Sequence, residues 1–139
     1  MSKPNDPVAL ARAATELFQG GDVEGFLAKM DPEVEIFATP ELPNPGSFKG
    51  REGWIEWTSH WFDAWEDFQI EVEEWEALGE RHALMTATQR AKGAGSGVPV
   101  QMRVYYLTEY RDGLAVRFQL HATREKALEA VRDREPEAG

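Results

Sequence analysis

The stretch from residue 99 to residue 121 constrains the fold most, because it reads as two strands joined by a two-residue turn. Apolar and polar side chains alternate along 99–110 and again along 114–121, which is the period of a half-buried β-strand. Asp112-Gly113 between them is a preferred dipeptide of tight hairpins. Further strands are predicted over 34–37, around 68–72, and over 81–92, the last followed by the loop GAGSG at 93–97.

The N-terminal half has the pattern of helices. Asn5 or Asp6, followed by Pro7, is a capped helix start, since proline is tolerated in the first turn. Asp22 caps a second, short helix. A third helix is predicted over about 51–66 and a short terminal one after Thr123. The segment 39–50, with three prolines and two glycines, is predicted to be a loop.

Helices concentrated in one half and an antiparallel meander in the other predict an α+β protein. The expected architecture is three helices packed on one face of a curved, mainly antiparallel sheet. At 139 residues the chain is the size of a single domain, here 1–139, with about 1–6 and 133–139 as flexible ends.

Composition excludes several classes of function. The chain has no cysteine, so disulfides and thiolate metal sites are ruled out. A net charge of −10 disfavours nucleic-acid partners. No apolar run reaches the ~18 residues of a membrane helix, and the N-terminus lacks the pattern of a signal peptide, so we expect a cytoplasmic protein. The histidines, of which His82 is predicted to be exposed, lack metal-ligand spacing; no metal or other cofactor is predicted.

Four of the five tryptophans lie at positions 54, 57, 61 and 65. On a helix that turns ~100° per residue they share an arc of about 80°. The stripe must face something apolar, and an aromatic stripe at this spacing usually packs against a sheet. His60 lies at its border, either as an exposed histidine or as a donor or proton carrier at a pocket mouth.

Two polar faces supply candidates for chemistry. Arg103 and Tyr105 share one face of their strand, and Gln119 and His121 share one face of the next. If these faces line a pocket, the four residues form a candidate site; if not, they are solvated or lie in a dimer interface. Alternation alone leaves this open.

Within that set His121 is the candidate catalytic base, because a histidine pKa near ~6.5 suits proton transfer at neutral pH. Arg103 or Tyr105 would stabilise a developing enolate or alkoxide. Glu35 either points inward as a buried carboxylate or lies on the surface, and Phe37 on the same strand is a candidate ligand contact.

Several phrases, taken in order, resemble the SnoaL-like branch of the NTF2-like superfamily. They cover about residues 8–132, nearly the whole chain. The matching phrases are Asp31-Pro32-Glu33-Val34-Glu35, Glu41-Leu42-Pro43, Lys49-Gly50-Arg51-Glu52-Gly53, Gly95-Ser96-Gly97-Val98-Pro99-Val100, Arg111-Asp112-Gly113 and Arg124-Glu125-Lys126-Ala127-Leu128-Glu129-Ala130.

The resemblance implies an NTF2-like cone, in which a strongly curved sheet and three helices enclose an apolar pocket, and it implies a homodimer. In such a cone the middle of the third helix faces the cavity, so Trp57 and Trp61 would line it, while Trp54 and Trp65 would belong to the core. The superfamily's usual catalytic aspartates are not found. Ile36 stands where ketosteroid isomerases have one. His121 and Thr123 stand where similar proteins often have a tyrosine and, two residues later, an aspartate.

Three functions follow as alternatives. The first is a cofactor-free proton-transfer enzyme, such as an isomerase, cyclase or dehydratase, acting on a small hydrophobic or aromatic molecule. The second is a protein that binds such a molecule without changing it. The third is a dimeric interaction domain whose cone is filled by its own side chains. The missing aspartates leave the question of catalysis open.

Overall fold

The computed structural model describes residues 6–39 and 46–134, and for 61, 62, 64, 133 and 134 the backbone only. It has four helices and six strands within these ranges. The helices are α1 (Pro7–Gln19), α2 (Val23–Ala28), α3 (Gly50–Ala64) and α4 (Arg124–Arg134). The strands are β1 (Met30–Ala38), β2 (Gly46–Lys49), β3 (Trp65–Leu78), β4 (His82–Gly93), β5 (Pro99–Arg111) and β6 (Leu114–His121).

The helix starts follow the predicted capping chemistry. The Asp6 carboxylate accepts a hydrogen bond from the Val8 amide at 3.0 Å, with Pro7 at the first helical position. The Asp22 carboxylate accepts one from the Gly25 amide at 2.9 Å. Each cap satisfies a backbone N–H that has no partner inside its helix.

The strands form one sheet in the order β2-β1-β6-β5-β4-β3. Only the β1–β6 pair is parallel. The β5–β6 hairpin closes as predicted, since Asp112 and Gly113 have φ of 52° and 82°, the left-handed conformations of a type I′ turn. Register shifts at four places in three strand pairs, once in β1–β6, twice in β3–β4 and once in β5–β6, add twist and curvature. The fold is the predicted α+β class.

The main core lies between the sheet and α1–α3. Inward residues of the central strands pack there with Trp54 and Trp57, and the most deeply buried are Val34, Ile36, Ala83, Ala87, Val104 and Leu120. A smaller cluster of Leu84, Leu107 and Ala127 joins α4 to the opposite face. We call the face under α1–α3 the inner face and the other the outer face.

Three predictions were wrong. The segment 39–50 is not all loop, because 46–49 form β2, an edge strand whose four residues were too few for a pattern to stand out; residues 40–45 lie outside the described part. The third helix ends at Ala64, so Trp65 opens β3. His82 is fully buried, because it lies between Leu78 on β3 and Glu109 on β5.

Replacing Leu120 with alanine tests the core. Leu120 has no exposed surface, so the lost contacts and the cavity left behind should lower the free energy of unfolding by about 2–5 kcal/mol. Urea unfolding followed by circular dichroism measures this. Val98→Ala is the control, because Val98 is 57% exposed, and its effect should stay within about 0.5 kcal/mol. Equal effects of the two changes would contradict this location of the core.

Candidate functional site

The two faces of the sheet carry separate cavities. On β5 and β6 the apolar set, including Val104, Tyr106, Phe118 and Leu120, faces α1–α3 as part of the main core. The polar alternates therefore face the other way. Consequently Trp57 on α3 and His121 on β6 lie on opposite sides of the sheet, and each belongs to a different cavity.

The interior cavity, between the inner face and the helices, has a volume of about 90 Å³. Aromatic contacts build its wall. The Trp57 and Phe118 ring centroids are 6.3 Å apart and the Tyr106 and Phe118 centroids 5.9 Å. Trp54 packs against Phe26 with ring centroids 4.9 Å apart and ring planes tilted by 48°. Such offset and edge contacts are favourable and rigid. The wall consists mainly of Phe18, Phe26, Trp54, Trp57, Met85 and Phe118.

Gln89 and Tyr106 form a polar pair in this apolar wall. They are 4% and 6% exposed, and the Gln89 amide Nε2 donates a hydrogen bond to the Tyr106 hydroxyl oxygen. Burial raises the pKa of Tyr106 far above its usual range, so its hydroxyl stays protonated at any physiological pH. The cavity therefore has a neutral hydrogen-bonding site in an apolar wall.

A second, smaller void lies beside the interior cavity, with a volume of about 50 Å³. It shares Thr15, Phe26, Met85, Tyr106 and Phe118 with the interior cavity, so the two are neighbours along one side of the sheet. Tyr110 lines this void but not the interior cavity, and burial raises the pKa of its hydroxyl as well.

An open groove adjoins the interior cavity. A groove of about 660 Å³ between α3, the α1–α2 corner and β3 shares Phe18, Trp54, Thr58, Phe68 and Ile70 with it. Val23 and Ile55, which line this groove, are 45% and 47% exposed and are two of the three large apolar side chains most exposed in the described part. We call this groove the mouth.

The outer cavity lies against β1, β2, β6 and α4, with a volume of about 730 Å³. His121 and Gln119 are both 6% exposed, and the His121 Nε2 lies 2.7 Å from the Gln119 Oε1. Since a carbonyl oxygen only accepts, that nitrogen carries the proton. Charged groups surround this pair, namely Glu35, Lys49, Arg117, Lys126 and Glu129.

A row in which basic and acidic side chains alternate crosses the outer face. From β2 through β1, β6 and β5 to β4, the successive cross-strand partners are Lys49, Glu35, Arg117, Glu109 and His82. Two of its contacts, Arg117 Nε to Glu35 Oε1 and His82 Nε2 to Glu109 Oε1, are both 3.6 Å. The side chains are 55% exposed at Glu35 but only 3% and 1% at Glu109 and His82. Opposite charges across strands stabilise this register.

The sequence-predicted residues thus separate into groups. Four line the outer cavity, namely Glu35, Phe37, Gln119 and His121. Tyr105 lies opposite His121 across β5 and β6, and the Arg103 Nε is 3.0 Å from the Glu73 Oε1; neither lines that cavity. Trp57 lines the interior cavity, and Trp54 is core as well as wall. His60 is exposed. The Trp61 side chain lies outside the described part.

Sequence reasoning missed Gln89. A signal for it existed, because Gln89 follows Met85 and Ala87 at two-residue intervals and so interrupts an apolar face with an amide. Tyr106 alternates with Val104 on the apolar side of its strand, and alternation gives no sign of what a tyrosine hydroxyl contacts. No group of three histidine or carboxylate side chains within 6–39 and 46–134 is arranged to hold a metal ion. No helix in those ranges is long and apolar enough to cross a membrane.

The chain matches a family model described as SnoaL-like domain over residues 11–118. That span is well over half of the chain, so the protein belongs to the SnoaL-like family. No curated protein sequence matches it.

Solved structures share the NTF2-like fold at low identity. An NTF2-like protein of unknown function from Burkholderia pseudomallei has a TM-score of 0.75 and 20% identity, covering 95% of this chain and 97% of that one. TerC, co-crystallised with polyporic acid, has a TM-score of 0.73 and 19% identity, covering 89% of this chain and 98% of that one. A Mycobacterium tuberculosis protein in complex with estradiol-17β-hemisuccinate has a TM-score of 0.68 and 16% identity, covering 87% of this chain and 96% of that one. Homodimer formation and cytoplasmic location stay predictions from the sequence.

The buried hydroxyls predict a loss of stability at high pH. Because burial raises the pKa of Tyr106 and Tyr110, the unfolded chain releases these protons first, near pH ~10. Their stabilising effect is complete below that pH and is lost as the pH rises above it. Tyr106→Phe removes one such group, so the alkaline decline in the free energy of unfolding should become shallower by about 1.4 kcal/mol per pH unit. Urea unfolding at a series of alkaline pH values measures this; an unchanged slope would contradict the burial of Tyr106.

Proposed function

We propose that this protein binds a small apolar molecule containing a ring in the interior cavity. The observation that carries the proposal is the aromatic wall of Trp54, Trp57 and Phe118 around a void that shares its lining with an open mouth. Ligand pockets are commonly concave and apolar with a few placed polar groups. A core filled only by its own side chains would have no such void, which disfavours a pure interaction domain.

The size of the cavity limits what it holds. The interior cavity of about 90 Å³ and the neighbouring void of about 50 Å³ share five lining residues. Joined by a shift of those side chains, they would approach the ~150 Å³ of an engineered cavity that binds benzene. One ring therefore fits beside Gln89 and Tyr106. A larger molecule would place its first ring there and extend into the mouth, whose volume is about 660 Å³.

Binding is favoured over catalysis in this cavity. Its described lining contains no carboxylate and no histidine, and Tyr106, with its raised pKa, is a poor proton acceptor at neutral pH. Two proteins of similar fold have been crystallised with ring-containing molecules, polyporic acid and estradiol-17β-hemisuccinate. That likeness supports a ligand of this general class.

Replacing Trp57 or Phe37 with alanine separates the two cavities. Trp57 lines the interior cavity and Phe37 the outer one. Loss of the indole should weaken binding of a single-ring aromatic molecule by about 10- to 100-fold, since a buried aromatic side chain contributes roughly 2 kcal/mol. Phe37→Ala should leave the dissociation constant unchanged. Titration by calorimetry measures both, and the reverse pattern would move the site to the outer face.

We propose a second candidate function, proton transfer at the outer cavity with His121 as the base. The supporting observation is the buried His121–Gln119 pair beside a cavity of about 730 Å³. Gln119 would fix the ring orientation and the protonated nitrogen. Tyr105 on the neighbouring strand would position this pair, and Arg103, bound to Glu73, would act only if that contact opened.

His121→Gln tests the second candidate without a known product. Cyclic ketones incubated in deuterium oxide with the protein would exchange their α-protons if His121 accepts and returns them, and NMR measures the rate. Loss of the base should lower that rate by about 10²- to 10⁴-fold. His60→Gln, on an exposed histidine of α3, is the matched control. Equal rates for wild type and His121→Gln would remove His121 from catalysis.

A further inference from the structure

We infer that the ligand of the interior cavity carries a group that both donates and accepts a hydrogen bond, namely a phenolic, enolic or alcoholic hydroxyl, and that Gln89 and Tyr106 recognise it together. This inference rests on the proposed binding function and adds the chemical class of the ligand.

The placement of Gln89 is unfavourable unless it has a role. Its neighbours across the sheet are Ile70 on β3 and Met102 on β5, and the inward positions before it on β4 are Ala87 and Met85. An amide buried among such residues destabilises the fold unless its polar atoms are paired. A methionine or leucine would pack there without that cost.

The amide of Gln89 is only half satisfied. Its Nε2 donates to the Tyr106 hydroxyl oxygen. Its Oε1 is buried and has no hydrogen-bond partner in the described part of the chain. A buried unpaired acceptor that lines a cavity marks a site for a donor from outside the protein.

Tyr106 supplies the complementary group. Its oxygen accepts a hydrogen bond from Gln89, so its own hydrogen is available to a different acceptor. Among the described residues the Tyr106 hydroxyl donates no hydrogen bond. The site therefore presents a vacant acceptor, the Gln89 Oε1, beside the vacant donor of the Tyr106 hydroxyl.

Only some ligand groups satisfy both. A hydroxyl donates to the Gln89 Oε1 and accepts from the Tyr106 hydroxyl, whereas a ketone or ether accepts from Tyr106 and leaves the Gln89 oxygen unpaired. A methyl group satisfies neither. Since an unsatisfied buried polar group weakens binding by about 10- to 100-fold, this pair selects a hydroxylated ring over its methyl analogue.

The test uses two ligands of nearly equal shape, p-cresol and p-xylene, which differ by a hydroxyl in place of a methyl. Calorimetry on the wild type should give a dissociation constant about 10- to 100-fold lower for p-cresol. Gln89→Met and Tyr106→Phe should each shrink that ratio to within about threefold, while p-xylene binding is kept or improved. Gln101→Met is the matched control, since Gln101 is an exposed glutamine on β5, and it should leave the ratio unchanged.

The results of these titrations test the hydroxyl inference and the binding function separately. If p-cresol and p-xylene bind the wild type equally, or the ratio survives in Gln89→Met, the hydroxyl inference is overturned while the binding function stands. If neither molecule binds the wild type, the proposed function itself fails. Thermal unfolding of the ligand-free variants separates recognition from a structural role: Gln89→Met should keep or raise Tm, because it removes an unpaired oxygen, whereas a structural glutamine would lower it.

Discussion

The alternation of side chains in β5 and β6 is the constraint on which the rest of the structure depends. Each central strand is paired on both sides, so neither can slip by one residue without moving its apolar set away from the helices. Val104 and Tyr106 on one strand, and Phe118 and Leu120 on the other, are thereby held against α1–α3. The polar residues that alternate with them therefore lie on the outer face.

From this one constraint the two cavities follow. Because the inward residues include rings as well as aliphatic chains, they meet Trp54 and Trp57 in an aromatic wall that leaves a void. The outer face instead carries a charged row and the His121–Gln119 pair beside α4. An apolar ligand and a charged ligand would therefore use opposite sides of one sheet. The interior side combines an aromatic wall, a mouth and a half-satisfied polar pair, which is why we assign the ligand to it.

Much of the fold could be predicted from patterns of residues. The Asp112-Gly113 turn, the Asp6 and Asp22 caps and the bounds of β6 depend on local chemistry, and local chemistry is visible in a sequence. The α+β class followed from the order of the elements. The short strand at 46–49 and the burial of His82 depend on partners distant in the chain, so no local pattern could indicate them.

The candidate site was less predictable for the same reason. Alternation placed His121 and Gln119 on one face, but which face the helices cover is a tertiary property. Gln89 pairs with Met102 and Tyr106 pairs with Met85, so the two lie on neighbouring strands four residues out of direct alignment. Only the folded sheet brings the amide to the hydroxyl. Trp57 was assigned to a cavity wall through the family resemblance, and the stripe alone would have left it in the core.

The central claim is that a ring-containing ligand enters the inner side of the sheet. Nuclear Overhauser effects between p-cresol and methyl-labelled protein test it most directly, because Met85 lines the interior cavity and Ala130 the outer one. We predict contacts from the ligand ring to the Met85 methyl group and none to Ala130. Contacts to Ala130 without any to Met85 would contradict the account.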